Sequence, residues 1–126
     1  YKSVMLDGVP NAVLVFGYTN ASWTLKADLA CEYACRLINH MDAAGYTQVV
    51  ARASAADRGT GSVLDELNSG YVLRAQHKLP RQGTRGPWRV RQNYLRDLPV
   101  LRYGAIDDGV LQFSTTASDV RPSVPA

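Results

Sequence analysis

The residues best placed to bind a ligand lie in one short run between two apolar segments, residues 18–23 with the sequence YTNASW, together with the helix start that follows them. Small and polar residues ahead of an amphipathic stretch predict a loop that leads into the first turn of a helix. Backbone amides in that turn lack partners within the helix, so they can donate to a carbonyl, a phosphate or an anionic ring. A purely structural loop fits the same pattern equally well, and Trp23 can either line a pocket or pack against the helix.

Reactive side chains elsewhere predict neither a metal site nor a catalytic group. Cys31 and Cys35 lie four residues apart on the predicted helix, where disulfide geometry is poor, so we interpret them as small buried residues of a reduced protein. His40 and His77 stand at no metal-ligand spacing from the cysteines. His40 falls near the predicted helix end, where a cation is favoured, and is interpreted as structural.

Positive charge is concentrated in the second half of the chain, although the formal net charge is only +3. Between Tyr71 and Arg102 the single acid Asp97 accompanies a series of basic residues: Arg74, Lys78, Arg81, Arg85, Arg89, Arg91, Arg96 and Arg102. Such a stretch can attract phosphate groups or nucleic acid, or it can form a solvated or acid-paired surface of a larger protein.

A strand and a long helix must position the candidate loop. Residues 12–16, with the sequence AVLVF, predict a strand buried on both faces, between a turn at residues 8–11 and Gly17. A helix is predicted from about Thr24 to Ala44, with Ser22 and Thr24 as candidate N-caps and Gly45 as the residue that ends it.

The predicted helix carries an apolar stripe wide enough to form one wall of a core. Its members recur at spacings of three and four residues: Leu25, Leu29, Ala30, Tyr33, Ala34, Leu37, Ile38 and Met41. Lys26 and Asp28 are predicted to be surface or capping groups. The stripe needs a larger partner surface than the rest of the chain clearly offers, so we expect the isolated chain to be poorly soluble or molten.

The rest of the chain predicts short elements joined by loops. Residues 47–51 predict a strand, residues 53–62 a loop, and residues 65–88 no regular element. Residues 93–98 predict one helical turn, whereas residues 98–102 and 110–114 predict a β-hairpin around Asp108 and Gly109. The polar tail from Thr115 onward is predicted to be disordered.

The composition is that of one folded domain. The chain has 126 residues, 46% of them hydrophobic and 20% charged, which excludes the disordered and collagen-like classes. No apolar run reaches the ~18–20 residues of a membrane span, and no signal-peptide pattern opens the chain. Because the first residue is not Met, we expect the chain to begin inside a longer one.

The amino-acid sequence of several segments resembles the last sequence block of class B flavin-dependent monooxygenases. This family includes the Baeyer–Villiger monooxygenases, and the nearest group looks like the ethionamide-activating type. The most specific likeness is in residues 8–12, 16–29, 32–33, 35–37 and 39, with the sequence FGYTNASWTLKADL at its centre. It continues through residues 70–74, 79–83, 87–89 and 92–97, and it fades in residues 53–68 and after Phe113.

The resemblance implies an α/β fold, in which this chain is the C-terminal fragment of a Rossmann-like FAD-binding domain followed by an irregular extension. It implies FAD and NADPH as cofactors, and insertion of one oxygen atom from O2 into ketones, sulfides or thioamides. It places residues Asn20–Leu25 beside the isoalloxazine ring, with the helix start facing the pyrimidine edge. A helix N-terminus stabilises the negative charge that a reduced flavin carries there. The group is expected to be cytoplasmic, and membrane association is compatible with it.

Several parts that such an enzyme needs are missing from this chain. It contains no Gly-x-Gly-x-x-Gly motif, so neither dinucleotide phosphate site is present. The monooxygenase fingerprint of the family and the arginine beside its flavin are not found either, and Arg36 cannot be assigned to that role. We therefore expect the piece alone to be inactive. We divide it into residues 1–46 (end of the FAD domain), 47–114 (an extension that packs on the parent enzyme) and 115–126 (the tail).

Two alternatives to an enzyme part remain open at this point. The amphipathic helix could dock a partner, which would make the chain a non-catalytic interaction module. The basic stretch, with Tyr71, Trp88, Tyr94 and Tyr103 among its residues, could bind single-stranded nucleic acid by stacking and phosphate contacts. Against the second alternative, the chain has no nucleic-acid-binding motif and its aromatic residues lack strand-like spacing. The expected partners are therefore the remainder of the parent enzyme and a small organic substrate.

Overall fold

A computed structural model describes residues 1–115 as an α/β arrangement with a small sheet. Its helices are α1 (Trp23–Ala44), α2 (Gly70–Ala75) and α3 (Tyr94–Arg102), and its strands are β1 (Gln48–Ala51) and β2 (Leu111–Ser114). Single 3-10 turns occur at Ala55–Asp57, Gln76–Lys78 and Gly86–Trp88. The α/β class is confirmed, whereas the predicted disordered tail lies, apart from Thr115, outside the described residues.

Helix α1 begins and ends where its local sequence signals predict. Gly45 follows the last helical residue with φ of 73°, a left-handed conformation that suits glycine, and its amide donates to the last-turn carbonyls of Met41 and Asp42. Ser22 occupies the N-cap position. Its hydroxyl, however, lies 2.8 Å from Thr24 Oγ1 and makes no capping bond to a backbone amide.

The buried face of α1 is narrower than the predicted stripe. Leu29, Tyr33 and Leu37 are buried in one core that combines residues from the first and second halves of the chain, including Tyr1, Val4, Met5, Val49, Trp88, Leu101, Ile106 and Leu111. The middle of the stripe is thus covered by this chain itself, contrary to the expectation that a larger partner is needed there. Its edge stays open, since Ile38 is 55% exposed.

The two cysteines are not buried, as they had been predicted to be. Cys31 and Cys35 are free thiols on the exposed side of α1. The buried face is centred on Leu29, Tyr33 and Leu37, and the cysteines fall outside its edge.

The predicted strand at residues 12–16 is not formed within residues 1–115. The segment carries no strand assignment, and Val15 is 41% exposed. One backbone bond ties it down, from the amide of Leu14 to the carbonyl of Val4 at 2.7 Å. A strand needs neighbouring strands to complete its hydrogen bonds, and the parallel neighbours expected for a Rossmann-like sheet are not present in the described part of the chain.

The observed sheet is antiparallel and joins distant parts of the sequence. Strand β1, predicted at residues 47–51, is confirmed, and it pairs with β2 in the register Val49 to Phe113 and Ala51 to Leu111. Residues 7–11 lie along β1 as well, because the amide and carbonyl of Val49 bond to Asn11 at 2.9 Å each. Strand β1 therefore has hydrogen-bond partners on both of its edges, and the Val49 amide takes the side-chain oxygen of Asn11 as its acceptor.

The predicted hairpin between residues 98–102 and 110–114 is wrong, because the first of these segments is helical. Helix α3 runs from Tyr94 to Arg102, longer than the single turn predicted at residues 93–98. Asn93 caps it by accepting a hydrogen bond from the amide of Arg96 at 3.1 Å. A short apolar run does not by itself distinguish a strand from a helix, and the cap decides in favour of the helix.

Two leucines of α3 give a matched test of this core. Leu101 is 1% exposed, whereas Leu95 is 79% exposed. In the protein that carries this chain, we expect Leu101→Ala to lower the free energy of unfolding by about 2–5 kcal/mol, because it leaves a cavity. Leu95→Ala should change it by less than about 0.5 kcal/mol. Urea unfolding of both variants measures the difference, and equal losses would contradict the assignment of the core.

Candidate functional site

The six predicted site residues lie together on the surface at the start of α1. All of them are exposed, Trp23 by 56% and Leu25 by 37%. No acidic side chain occurs in the first turn of α1, so the positive end of the helix dipole is not offset by a neighbouring carboxylate. Asp28, predicted as a possible surface or cap group, is exposed and lies 3.4 Å from Arg102. The arrangement leaves first-turn amides near a surface that an anionic or carbonyl group can approach.

Trp23 folds back over Gly17 at the entrance to the loop. A Cβ atom built on Gly17 would lie 1.9 Å from the Trp23 ring, so no larger residue fits there without displacing the indole. One side of the ring therefore packs on backbone while more than half of the side chain stays exposed. The interpretation of Trp23 as a packing residue is supported by its contact with Gly17, whereas the interpretation as a pocket-lining residue stays a prediction.

The loop is tied to the second half of the chain through Gln92. The amide of Thr19 donates to Gln92 Oε1 at 3.0 Å. The side-chain amide of Asn20 donates to the Gln92 carbonyl, also at 3.0 Å. These partners are 72 and 73 residues apart in sequence, and no local pattern in the sequence pointed to Gln92.

A buried charge pair fixes the first turn of α1 against α3. Lys26 Nζ lies 2.7 Å from Asp97 Oδ2, with side-chain exposures of 3% and 14%. The prediction that Lys26 is a surface or capping group is therefore wrong, because its ammonium has a buried partner on α3. Tyr18 donates its hydroxyl to the same oxygen at 2.7 Å. Burial, together with the bond to Asp97, raises the pKa of Tyr18 far above its usual range.

An apolar cavity adjoins the inner side of the loop. Its walls come from both halves of the chain, with Phe16, Gly17 and Tyr18 on one side and Val63, Trp88 and Val90 on the other. Lys26 and Gln92, which hold the loop in place, also contribute to its lining. A mostly apolar cavity with a few polar groups is the usual form of a small-molecule site.

Two of the four aromatic residues of the basic stretch are used for packing within this chain. Trp88 is buried and meets Tyr1 edge-on at 5.8 Å between ring centroids. Tyr94 meets Tyr18 edge-on at 6.4 Å. Both residues therefore anchor this chain's own segments, which leaves Tyr71 and Tyr103 as the exposed aromatic residues of the stretch.

Two cations of the basic stretch have acidic partners, and Arg36 of α1, outside the stretch, has backbone partners. Arg102 bonds to both carboxylate oxygens of Glu32, at 2.5 and 2.9 Å, and Arg85 lies 3.1 Å from Asp57. Arg36 donates to the carbonyls of Leu101 and Gly104 at the end of α3. That position favours a cation and gives Arg36 a structural role. The interpretation of the stretch as partly acid-paired is thus the one that these contacts support.

Within residues 1–115, no cluster of three or more histidine, cysteine, aspartate or glutamate side chains could hold a metal ion. His40 packs on Phe113, with 5.1 Å between ring centroids, and near Tyr46 at 6.4 Å. This contact supports its interpretation as structural. No helix in the described part of the chain is both long and apolar enough to cross a membrane.

Comparison with curated proteins gives a consistent set of relatives. The chain is 49% identical over 120 residues to the FAD-containing monooxygenase EthA of Mycobacterium tuberculosis, which covers 95% of this chain and 24% of the relative. It is 45% identical over 113 residues to a protein named a probable FAD-binding monooxygenase, AlmA of an Acinetobacter species, covering 90% and 23%. It is 45% identical over 123 residues to EthA of Mycolicibacterium smegmatis, covering 98% and 25%.

The chain thus spans about a quarter of the length of the curated relatives it matches. No family model and no solved structure matches it.

The buried pair of Lys26 and Asp97 can be tested against an exposed one. Lys26→Met should lower the free energy of unfolding by about 3–5 kcal/mol, because it leaves the Asp97 carboxylate buried without its countercharge. Arg58→Met is the control, since Arg58 and Asp7 are 55% and 32% exposed and such pairs contribute about 0–1 kcal/mol. Adding Asp97→Asn to Lys26→Met should recover part of the loss in a denaturant titration. A Lys26→Met variant as stable as the control would contradict the buried pair.

Proposed function

Because this chain is homologous over nearly all of its length to a part of the FAD-containing monooxygenases, we propose that it is the C-terminal part of an FAD- and NADPH-dependent monooxygenase. The observation that carries the proposal is the identity of 45–49% over 90% or more of the chain. The reaction would insert one oxygen atom from O2 into a ketone, a sulfide or a thioamide. FAD, when bound, supplies the oxygen chemistry.

The residues at the start of α1 fit a contact with the ring end of FAD. An exposed loop of small residues allows a flat ring to approach the backbone, and the half-exposed indole of Trp23 offers it an apolar surface. The first turn of α1 has no acidic residue to repel an anionic ring. In this proposal, Asn20, Ala21, Ser22, Trp23, Thr24 and Leu25 orient the flavin and exclude water from one of its edges.

The same residues do not fit the phosphate end of either dinucleotide. The chain contains no Gly-x-Gly-x-x-Gly motif, and the phosphates are expected to lie on other parts of the parent enzyme. We therefore propose that the isolated piece has no monooxygenase activity. The remainder of the parent is its partner, and a small organic molecule is the substrate of the whole enzyme. Cytoplasmic location and membrane association both stay predictions.

The docking-module alternative rests on a groove along one edge of α1. Ala34, Ile38 and Met41 line it from the helix, with Val13 and Val49 opposite. In the proposed enzyme, the remainder of the parent covers this groove. If the chain acted alone, a separate partner protein would cover the groove. The two functions therefore differ in whether the covering surface belongs to the same polypeptide.

The mass of the native protein separates these two functions. The 126 residues amount to 13.8 kDa, whereas the curated relatives are about four times as long. We expect intact mass spectrometry of the protein from its own cell to give a mass several times larger than 13.8 kDa. A mass near that of the piece would exclude flavin catalysis by a complete enzyme and would favour the docking module.

The proposed flavin contact is tested in the intact flavoprotein by Asn20→Leu and Trp23→Ala. We expect each to slow reduction of the flavin by NADPH roughly tenfold or more, or to change the range of substrates, because they displace groups that orient the ring. Tyr71→Ala is the control, since it removes another aromatic side chain that is 69% exposed but lies on α2. Stopped-flow absorbance measures the reduction, and steady-state turnover of several substrates measures the range. Wild-type values in both measurements for both variants would remove the site assignment.

A further inference from the structure

The loop at the proposed flavin contact is held from outside by one short segment, Gln92–Asp97. The side-chain oxygen of Gln92 accepts a hydrogen bond from the Thr19 amide, and its backbone carbonyl accepts one from the Asn20 side chain, each at 3.0 Å. The carboxylate of Asp97 accepts hydrogen bonds from the Tyr18 hydroxyl before the loop and from the Lys26 ammonium after it, each at 2.7 Å. Four residues of the loop and the first turn of α1 are thus hydrogen-bonded to one six-residue segment in the second half of the chain.

We infer that Gln92 is a positioning residue, whose side-chain oxygen sets the conformation of the loop that contacts the flavin. The inference rests on the proposed function for the contact itself. Asp97 holds the two ends of the loop and Trp23 packs on Gly17, but neither contact binds the backbone of Thr19 and Asn20. The loop tip at residues 21 and 22 is exposed, so the bonds at Thr19 and Asn20 are the ones that determine where it lies.

The two bonds at Gln92 are separable by mutation. The bond from Asn20 reaches the Gln92 carbonyl, which is backbone and survives substitution, whereas the bond from the Thr19 amide depends on Oε1. Gln92 also adjoins the apolar cavity behind the loop, so an apolar side chain of similar length can be accommodated. Gln92→Met therefore removes one acceptor while keeping the length and unbranched shape of the side chain.

Gln92→Glu is the matched conservative variant. A glutamate keeps an acceptor oxygen at the position of Oε1, so the bond from the Thr19 amide can persist. Asp65 and Glu66 line a small cavity together with Gln92, so both variants are compared in about 1 M salt, which screens the added negative charge. A positioning role predicts that this variant behaves like the wild type and that Gln92→Met does not.

The first measurement is hydrogen exchange of the loop in the intact protein after its flavin has been removed. With Gln92→Met, we expect amides of residues 18–25 to exchange roughly five- to tenfold faster, as the loss of one hydrogen bond implies. Amides of β1 should be unchanged, and Gln92→Glu should match the wild type. Unchanged exchange in Gln92→Met, or equal acceleration in both variants, would overturn the inference. If Gln92→Met fails to fold, Gln92→Ala serves as the second variant under the same criteria.

The second measurement is the visible circular dichroism of bound FAD, which reports the asymmetry of its immediate surroundings. Gln92→Met should change this spectrum even when every protein molecule holds FAD, and its melting temperature should change little. Gln92→Glu should give the wild-type spectrum. A residue that only supported the fold would lower FAD content and stability together and leave the spectrum per bound FAD intact, which would overturn the inference.

The two measurements also separate this inference from the proposed function. Faster loop exchange together with an intact protein that holds no FAD would leave Gln92 as a positioning residue and remove the flavin contact. A flavin spectrum that changes in Asn20→Leu but not in Gln92→Met would keep the contact and remove the positioning role.

Discussion

The ammonium group of Lys26 lies almost entirely out of water, 2.7 Å from the Asp97 carboxylate, and the position of α1 depends on that pair. An isolated ammonium in such a place would lose several kcal/mol of solvation. Arrangements that keep Lys26 buried but move it away from Asp97 are therefore strongly disfavoured. Tyr18 shares the same carboxylate oxygen, so one side chain of α3 restrains the chain on both sides of the candidate loop. The Arg102 and Glu32 contact adds a second, more exposed link between the same two helices.

The features that sequence alone could predict are those whose signals are local. Helix α1 has a long apolar period and a glycine directly after it, and strand β1 has a compact run of branched residues. Helix α3 was predicted wrongly because residues 98–102 form a short apolar run that also fits a strand, although the sequence showed its cap, Asn93. The partner of β2 could not be predicted, since β1 lies more than 60 residues earlier. Neither short strand carries a sequence signal that identifies a partner at that distance.

The candidate site likewise has one part that local sequence signals predict and another that depends on contacts distant in sequence. Its exposed surface, the residues from Asn20 to Leu25, follows from small residues placed ahead of a helix start. Its supports, Gln92 and Asp97, act across 71 to 79 residues of sequence, so no periodicity or spacing reveals them. Lys26 was assigned to the surface because a lysine without a visible acidic partner usually lies there, and the partner is supplied only by the fold. The apolar run at residues 12–16 has the composition of a central strand but lacks its neighbours among residues 1–115.

The distance in sequence between the loop and its supports has a consequence for synthesis on the ribosome. Asn20 emerges 72 residues before its partner Gln92, which at about 5–20 residues per second corresponds to roughly 4–14 seconds of translation. During that interval Lys26 is hydrated and the loop has neither of its two anchoring residues. The loop surface is therefore completed only after Gln92 and Asp97 have been synthesised, and a nascent chain released before Gln92 carries the loop residues without the side chains that hold them.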